Sequence, residues 1–182
     1  YDPAGRHLGI TDPTGTTLRA LDPAGNPERV VTTPTSGPAE STRLQWDTTR
    51  TNPQLAAMVD PAGTTNTLVR ANPGQAWSTL TTGVTKQPLA ADIHRSTVAD
   101  GPAASHATAA SYNAFGAPST APGHQPTLGY RSETSIEGLT HLRARQYDSA
   151  TGAFTTTDPL PGVNGTTTLN NPYHYTNNNP LN

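Results

Sequence analysis

Cysteine is absent from this 182-residue chain, which excludes disulfides, thiolate metal sites and thiol nucleophiles. The absence leaves the redox compartment open, because secreted proteins need not carry disulfides. Charge is scarce at 13% of residues, and lysine occurs once, at Lys86, against ten arginines. With a net charge of −2 and a pI near 6.3, nothing here draws nucleic acid electrostatically. Apolar residues amount to 32% and aromatics to 5%, and no run of about 18 apolar residues exists to make a membrane-spanning helix. A lone chain of this composition has a thin core and reads better as one section of a larger sheet.

Thr, Ala, Asn, Pro and Gly take the place of charge, with 18 Pro and 16 Gly. High turn density argues against long helices, and β-branched Thr suits strands. Turns come with a beat. The tetrad Asp-Pro-x-Gly stands at Asp2-Pro3-Ala4-Gly5, Asp12-Pro13-Thr14-Gly15, Asp22-Pro23-Ala24-Gly25 and Asp60-Pro61-Ala62-Gly63. Pro sets φ at the second position, the Asp carboxylate accepts nearby amides, and Gly supplies positive φ. A ten-residue step leaves about six residues for a strand, so the pattern predicts an all-β repeat of antiparallel hairpins.

Three stretches follow. Residues 1–83 carry the repeats, with Leu and Ile alternating through His7–Ile10 and Thr16–Leu21, and with Asn72-Pro73-Gly74 and Trp77 marking further degenerate units. Residues 84–127 form a degenerate repeat and connector, with strands expected over Val84–Ala91 and Ile93–Val98, an unsupported short helix over Ala103–Ser111, and a turn at Asn113-Ala114-Phe115-Gly116. Residues 128–182 are denser in signal. Leu139–Asp148 reads as one alternating strand with Leu139, His141, Arg143 and Arg145 on one face.

The Tyr1–Arg6 opening, Tyr-Asp-x-x-Gly-Arg, resembles the rearrangement-hotspot (Rhs) and YD-repeat family. The last 55 or so residues resemble that family's core-associated segment. They read Leu128-Gly129-Tyr130, Gly138-Leu139-Thr140-His141-Leu142-Arg143-Ala144-Arg145-Gln146-Tyr147-Asp148, Thr151-Gly152-Ala153-Phe154, Asp158-Pro159-Leu160 and Asn171-Pro172-Tyr173-His174-Tyr175, ending in Asn178-Asn179-Pro180-Leu181-Asn182. Ala153 departs from the family's usual Arg, Gln146 from a common aromatic, and Leu160-Pro161-Gly162 from its tighter spacing.

The resemblance implies a secreted or surface-exposed bacterial polymorphic-toxin carrier, with related shells in insecticidal toxin complexes and teneurins. In that family the repeats spiral into a hollow β-shell (cocoon) around a C-terminal effector, and the core segment plugs one end. The implied partners are the remaining segments of the same shell, the encapsulated effector, and a secretion-system component or surface glycan. The family's autoproteolytic aspartates lie past the Asn-Asn-Pro segment, so no position here matches them. The opening at Tyr1, already inside a repeat, reads as part of a longer polypeptide.

No catalytic, cofactor or metal residue is assigned from the sequence. Asp2, Asp12, Asp22, Asp60, Asp148 and Asp158 offer carboxylates, but Pro and Gly at turn positions mark most of them as turn residues rather than an acid pair. His7, His94, His106, His124, His141 and His174 have no metal-type spacing, so zinc would need a coincidence of folding. Gly-x-Ser-x-Gly and phosphate-binding loops are missing. Arg143 and Arg145 beside His141 read as a polar surface, and Tyr130, Tyr147, Tyr173 and Tyr175 as anchors of a sparse core. Asn164-Gly165-Thr166 fits a glycosylation acceptor. Two alternatives stand beside the structural reading: a glycan- or receptor-binding module, and the amino-terminal side of an aspartyl autoprotease.

Overall fold

Among the described residues, five stretches close on themselves through the same three hydrogen bonds. In a computed structural model that describes residues 1–70, 78–81, 87–100, 110–120, 128–158 and 171–181, Asp2, Asp22, Asp60, Asp92 and Asn113 each begin such a turn. The first residue's N–H donates to the fifth residue's carbonyl, the fourth N–H donates back to the first carbonyl, and the fifth N–H donates to the first side chain's Oδ1, all at 2.8–3.0 Å. The fourth position has φ between 66° and 92°, and it is Gly in four of the five turns. Arg95 fills it in the other, which places the Asp92–Ser96 turn within the stretch read from sequence as a strand over Ile93–Val98. The tetrad at Asp12 differs. Asp12 pairs with Gly15 across a two-residue loop, and its Oδ1 accepts from Thr14 N and Oγ1 at 2.7 and 2.6 Å.

Between the turns run the strands of one antiparallel sheet: β1 (Gly9–Asp12), β2 (Gly15–Leu21), β3 (Pro27–Pro34), β4 (Glu40–Asp47), β5 (Gln54–Val59), β6 (Thr65–Val69), β7 (Ser78–Thr81), β8 (Gln87–Ala91) and β9 (Thr97–Asp100). Each strand pairs with its sequence neighbour, so the nine form a meander in chain order that continues past residue 84. Register slips by one residue at Ala20/Leu21, Gln45/Trp46 and Ala90/Ala91. Such bulges bend a strand and increase its twist.

A short hairpin of β10 (Ala110–Tyr112) and β11 (Pro118–Thr120) follows, then a four-stranded sheet of β12 (Ser135–Ile136), β13 (Leu139–Leu142), β14 (Arg145–Asp148) and β15 (Ala153–Phe154). The single strand expected over Leu139–Asp148 is in fact a tight hairpin. Leu142 pairs with Arg145, and Arg143-Ala144 make the loop, with φ 59° at Arg143. Positive φ at the first loop position suits the right-handed twist of the flanking strands. The hairpin sets Arg145 opposite Leu142 and Arg143 in the loop, so the expected single face with His141 does not exist.

Two cores result. The first takes one aliphatic side chain each from β3, β4, β5, β6 and β8 (Val30, Leu44, Leu55, Leu68 and Leu89), completed by Leu128 and Ile136 from the later part of the chain, with Trp46 alongside. The second is aromatic, built from Tyr130, Tyr147 and Tyr175 with Tyr112, Leu142 and Phe154. Leu128 and Ile136 in the first core mean that the four-stranded sheet sits against one face of the nine-stranded one. That face is not the greasier side of β2. Leu18 is 58% exposed, whereas Thr17 and Arg19 on either side of it are buried. The alternation of Leu and Ile therefore does not mark the inward face of β2; the inward residues are those with partners on the second sheet.

Candidate functional site

Several polar side chains are buried where the nine-stranded sheet (the wall) meets the four-stranded sheet, called the closing sheet for its place late in the chain. Arg19 lies at the centre of this contact with a fully buried side chain. Its Nη1 donates to His7 Nδ1 at 2.8 Å, and its Nη2 donates to the Ile136 carbonyl and to Glu137 Oε2, both at 3.0 Å. β2 aims Arg19 inward because its alternation sets Thr17, Arg19 and Leu21 on one side. Glu137 is presented by the Glu137-Gly138 loop between β12 and β13, where both residues have positive φ, 57° and 76°. This two-residue loop lets the carboxylate reach across to a residue 118 positions earlier. Burial raises the Glu137 carboxyl above its ordinary range even with Arg19 beside it, and burial also lowers Arg19.

A second contact lies beside the first. The His141 ring, 0% exposed, packs on Trp46 of β4 with ring centres 5.0 Å apart. Gln146 Nε2 donates to its Nδ1 at 2.7 Å, and Nε2 of the ring is buried without a hydrogen-bond partner. Burial, with help from Arg143 and Arg19, lowers the His141 pKa to about 3; burial and Arg19 lower that of His7 to about 4. Both rings are neutral at physiological pH. Trp46 is itself tied down by donating Nε1–H to the Pro27 carbonyl at 2.7 Å. Nearby, Arg143 pairs with Glu133, and Arg70 donates to the Leu55 carbonyl.

Residues 128–132 attach the closing sheet to the far end of the wall. Thr97 N donates to the Gly129 carbonyl at 3.0 Å, Ser132 Oγ to the Arg95 carbonyl at 2.6 Å, and Arg131 N to Ser96 Oγ at 3.2 Å. The β10–β11 turn then clamps the aromatic core. Tyr130 and Tyr147 donate their hydroxyls to the Ala114 and Phe115 carbonyls at 3.2 and 2.7 Å. Gly116 lies flat on the Tyr130 ring, where a Cβ would come within 2.4 Å. Tyr147 and Tyr175 pack tilted at 37° with centres 4.4 Å apart, and Phe154 meets each edge-on. Burial pushes the Tyr175 hydroxyl up to about 12 and the Tyr147 hydroxyl higher still. A cleft of about 440 Å³ borders this cluster, lined by Tyr112, Pro118, Ser135, Thr140 and Ser149 among others.

The remaining residues singled out from the sequence have structural places. Arg145 lies 3.6 Å over the Phe154 ring and pairs with Asp158 at 3.0 Å. Asp148 accepts Ala150 N, and Gly152 N closes that turn on the Asp148 carbonyl. Asn171 caps its own turn by accepting Tyr173 N, and His174 bridges to Ala153 at the edge of the closing sheet. The Pro172 carbonyl accepts Asp158 N, and the Pro180 carbonyl accepts Arg131 Nη2 at 2.6 Å. Asn179 N closes on the Thr176 carbonyl after three residues of positive φ, a conformation Asn tolerates well. Pro159, Asn72-Pro73-Gly74, Trp77, Val84–Lys86, His106, His124, Ala103–Ala109 and Asn164-Gly165-Thr166 lie outside the described residues. Among the described residues no three His, Cys, Asp or Glu side chains gather as a metal site, and the turn aspartates bind amides rather than one another. Sequence reasoning missed Arg19, Glu137 and Trp46. The available signal was an arginine inside an otherwise apolar-alternating strand.

Comparison with known proteins then bears on the fold. No family model and no curated protein matches the sequence. The architecture is similar to part of a toxin-complex chain. That chain belongs to the structure of the Photorhabdus luminescens Tc holotoxin pore, with a TM-score of 0.50 and 12% identity. The match covers 91% of this chain and 10% of that one, so the present chain spans about a tenth of the length of the protein it resembles. At this identity the likeness concerns the fold.

Proposed function

We propose that this chain is a wall-and-closure segment of a hollow YD-repeat β-shell of the Rhs type, which isolates a toxin or effector until delivery. In this reading residues 1–83 and 84–127 are wall repeats and connector, and residues 128–182 are the core-associated closing segment, with Tyr130, Arg143, Arg145, Tyr147, Asp148 and Asn171–Tyr175 as its framework. The observation that carries it is the docking of the last sheet on one face of a nine-strand meander through buried polar groups. A self-contained globule of this size has little reason to bury Arg19 and Glu137 where aliphatic residues would serve. A cage wall whose closing element must seat in one register does.

Two further features support the reading. Among the described residues, β1 has β2 as its one strand partner. The Asp2–Arg6 turn preceding β1 is the same kind that joins β2 to β3 and β5 to β6. Open edges seek partners, so the wall is expected to continue through other segments of the same shell. The shell-like protein would act in a secreted or surface toxin assembly and would do no chemistry of its own.

Sedimentation of the isolated chain and electron microscopy of the polypeptide that naturally contains it test this. The expected results are self-association of the isolated chain, and a continuous wall with residues 128–181 on its inner surface. An isolated chain that stays monomeric at every concentration, or a wall that does not continue into neighbouring sequence, would overturn the proposal.

A further inference from the structure

Two histidines occupy the seam in positions that cannot accept a proton without loss. A guanidinium only donates, so His7 Nδ1 must be deprotonated for its 2.8 Å bond to Arg19 to exist. On its other side His7 shares a small gap with Arg6 from the wall and with Arg143 and Arg145 from the closing sheet. A charged His7 would add a fourth cation to that gap. His141 has its Nδ1 occupied by Gln146 and its Nε2 shielded from solvent without an acceptor. Protonation would set an Nδ1–H against the Gln146 amide donor, so a charged His141 would be a buried cation with neither N–H accepted, a costly arrangement.

We propose that this seam is an acid-sensitive latch: on mild acidification His7 and His141 take up protons and the closing sheet releases the wall. The inference rests on the closing role proposed above and assigns that role a trigger. The groups that face the two rings fix the sense of the effect. His7 meets Arg19 from β2, the Tyr1 ring at 5.2 Å and the amino terminus from its own segment, and Arg143 and Arg145 from the facing sheet. His141 meets Arg143 on its own hairpin and Arg19 and Asp22 from the wall, and Asp22 alone favours its charged form. The other carboxylates near the seam are engaged: Asp2 with Arg6, Glu133 with Arg143, Asp158 with Arg145 and Glu137 with Arg19.

The pH window follows. Both folded-state values lie below the ordinary 6.5, near 4 and 3, so the released form binds more protons than the latched one as pH falls below 6.5. Latching is complete above that pH and weakens as pH drops toward 4. Glu137, raised by burial, titrates in the opposite sense and reduces the net effect without involving the histidines.

Hydrogen exchange on the whole chain, corrected for the intrinsic pH dependence of exchange, reads the latch directly. Amides of the closing sheet, such as His141 N bonded to the Thr134 carbonyl, are expected to lose about 20-fold in protection per histidine between about pH 7 and pH 5. The His7→Gln variant keeps an acceptor for Arg19 and should lose about 20-fold less than the parent over that interval. An equal loss in parent and variant, or no loss in the parent, would overturn the proposal. If His7→Gln fails to fold, NMR titration of the parent decides: rings still neutral at pH 5 support the latch, and titration near 6.5 refutes it. A closing sheet without protection at pH 7 would instead count against the closing role itself.

Discussion

The nine-stranded wall and the four-stranded closing sheet are both antiparallel, yet they are held in different ways. The wall takes one aliphatic side chain from each of five strands and repeats a turn whose side-chain and backbone bonds are the same at Asp2, Asp22, Asp60 and Asp92. The closing sheet has strands of two to four residues, too short to stand alone, and relies on stacked rings and buried hydrogen-bonded charges. In the wall each strand needs only its neighbours, so stability accumulates along the meander as it does in repeat proteins. In the closing sheet a few side chains carry most of the burden. Damage should therefore stay local in the wall and become global in the closing sheet.

Point substitutions put that contrast under strain. The largest effect is expected at Tyr147, which is 0% exposed and contacts Phe154, Tyr175 and the Phe115 carbonyl. Tyr147→Ala should cost about 3–5 kcal/mol in denaturant unfolding and strip protection from the whole closing sheet. Arg19→Ala comes next, because it leaves Glu137 buried without its partner. A loss of about 3–5 kcal/mol is expected, most of it recovered when Glu137→Leu is combined with Arg19→Met.

Gly116→Ala tests the clamp between the two regions. The new Cβ meets the Tyr130 ring at a backbone φ of +82°, and thermal unfolding should report a loss of about 1–3 kcal/mol. In the wall, Asp22→Ala removes acceptors for Asn26 N and Nδ2 and should cost only about 1–2 kcal/mol. Its pH dependence has a definite sign. Burial works to raise the Asp22 carboxyl, but the bonds from Asn26, Ala24 and Gly25 outweigh it and hold the group below its ordinary value. The stabilisation is therefore present above the ordinary carboxylate pKa of 3.8 and fades as pH falls below it, so parent and variant should converge in strong acid. Least of all, Leu18→Thr on the exposed side of β2 should change stability by no more than about 0.5 kcal/mol, although it adjoins Arg19.

The same contrast governs what the sequence reveals. The wall's turns are legible because their chemistry is local: Asp, Pro and Gly within five residues suffice, and Asn113 is readable as a substitute for Asp. The Asp92 turn escapes notice because Arg95 stands where Gly is expected, held at positive φ by the surrounding bonds. In the closing segment, Gly138 and the pair Asn177-Asn178 signal reversals, but Arg143-Ala144 carries no turn signature at all. A two-residue loop there turns an apparent ten-residue strand into a hairpin. The site was the least legible part. Arg19, His7, Glu137, Trp46 and His141 are dispersed along the chain, and only tertiary pairing makes them neighbours. Strand alternation in β2 also misleads, since Leu18 faces out where Thr17 and Arg19 take the inward side.

Wall and closing sheet form one body pinned through Arg19 and Glu137. A double-mutant cycle with Arg19→Met and Glu137→Gln, followed by denaturant unfolding, is the decisive experiment. A coupling of about 1–3 kcal/mol is expected, the range for residues that share a buried network. Additive losses, with no coupling between two residues 118 positions apart, would contradict it.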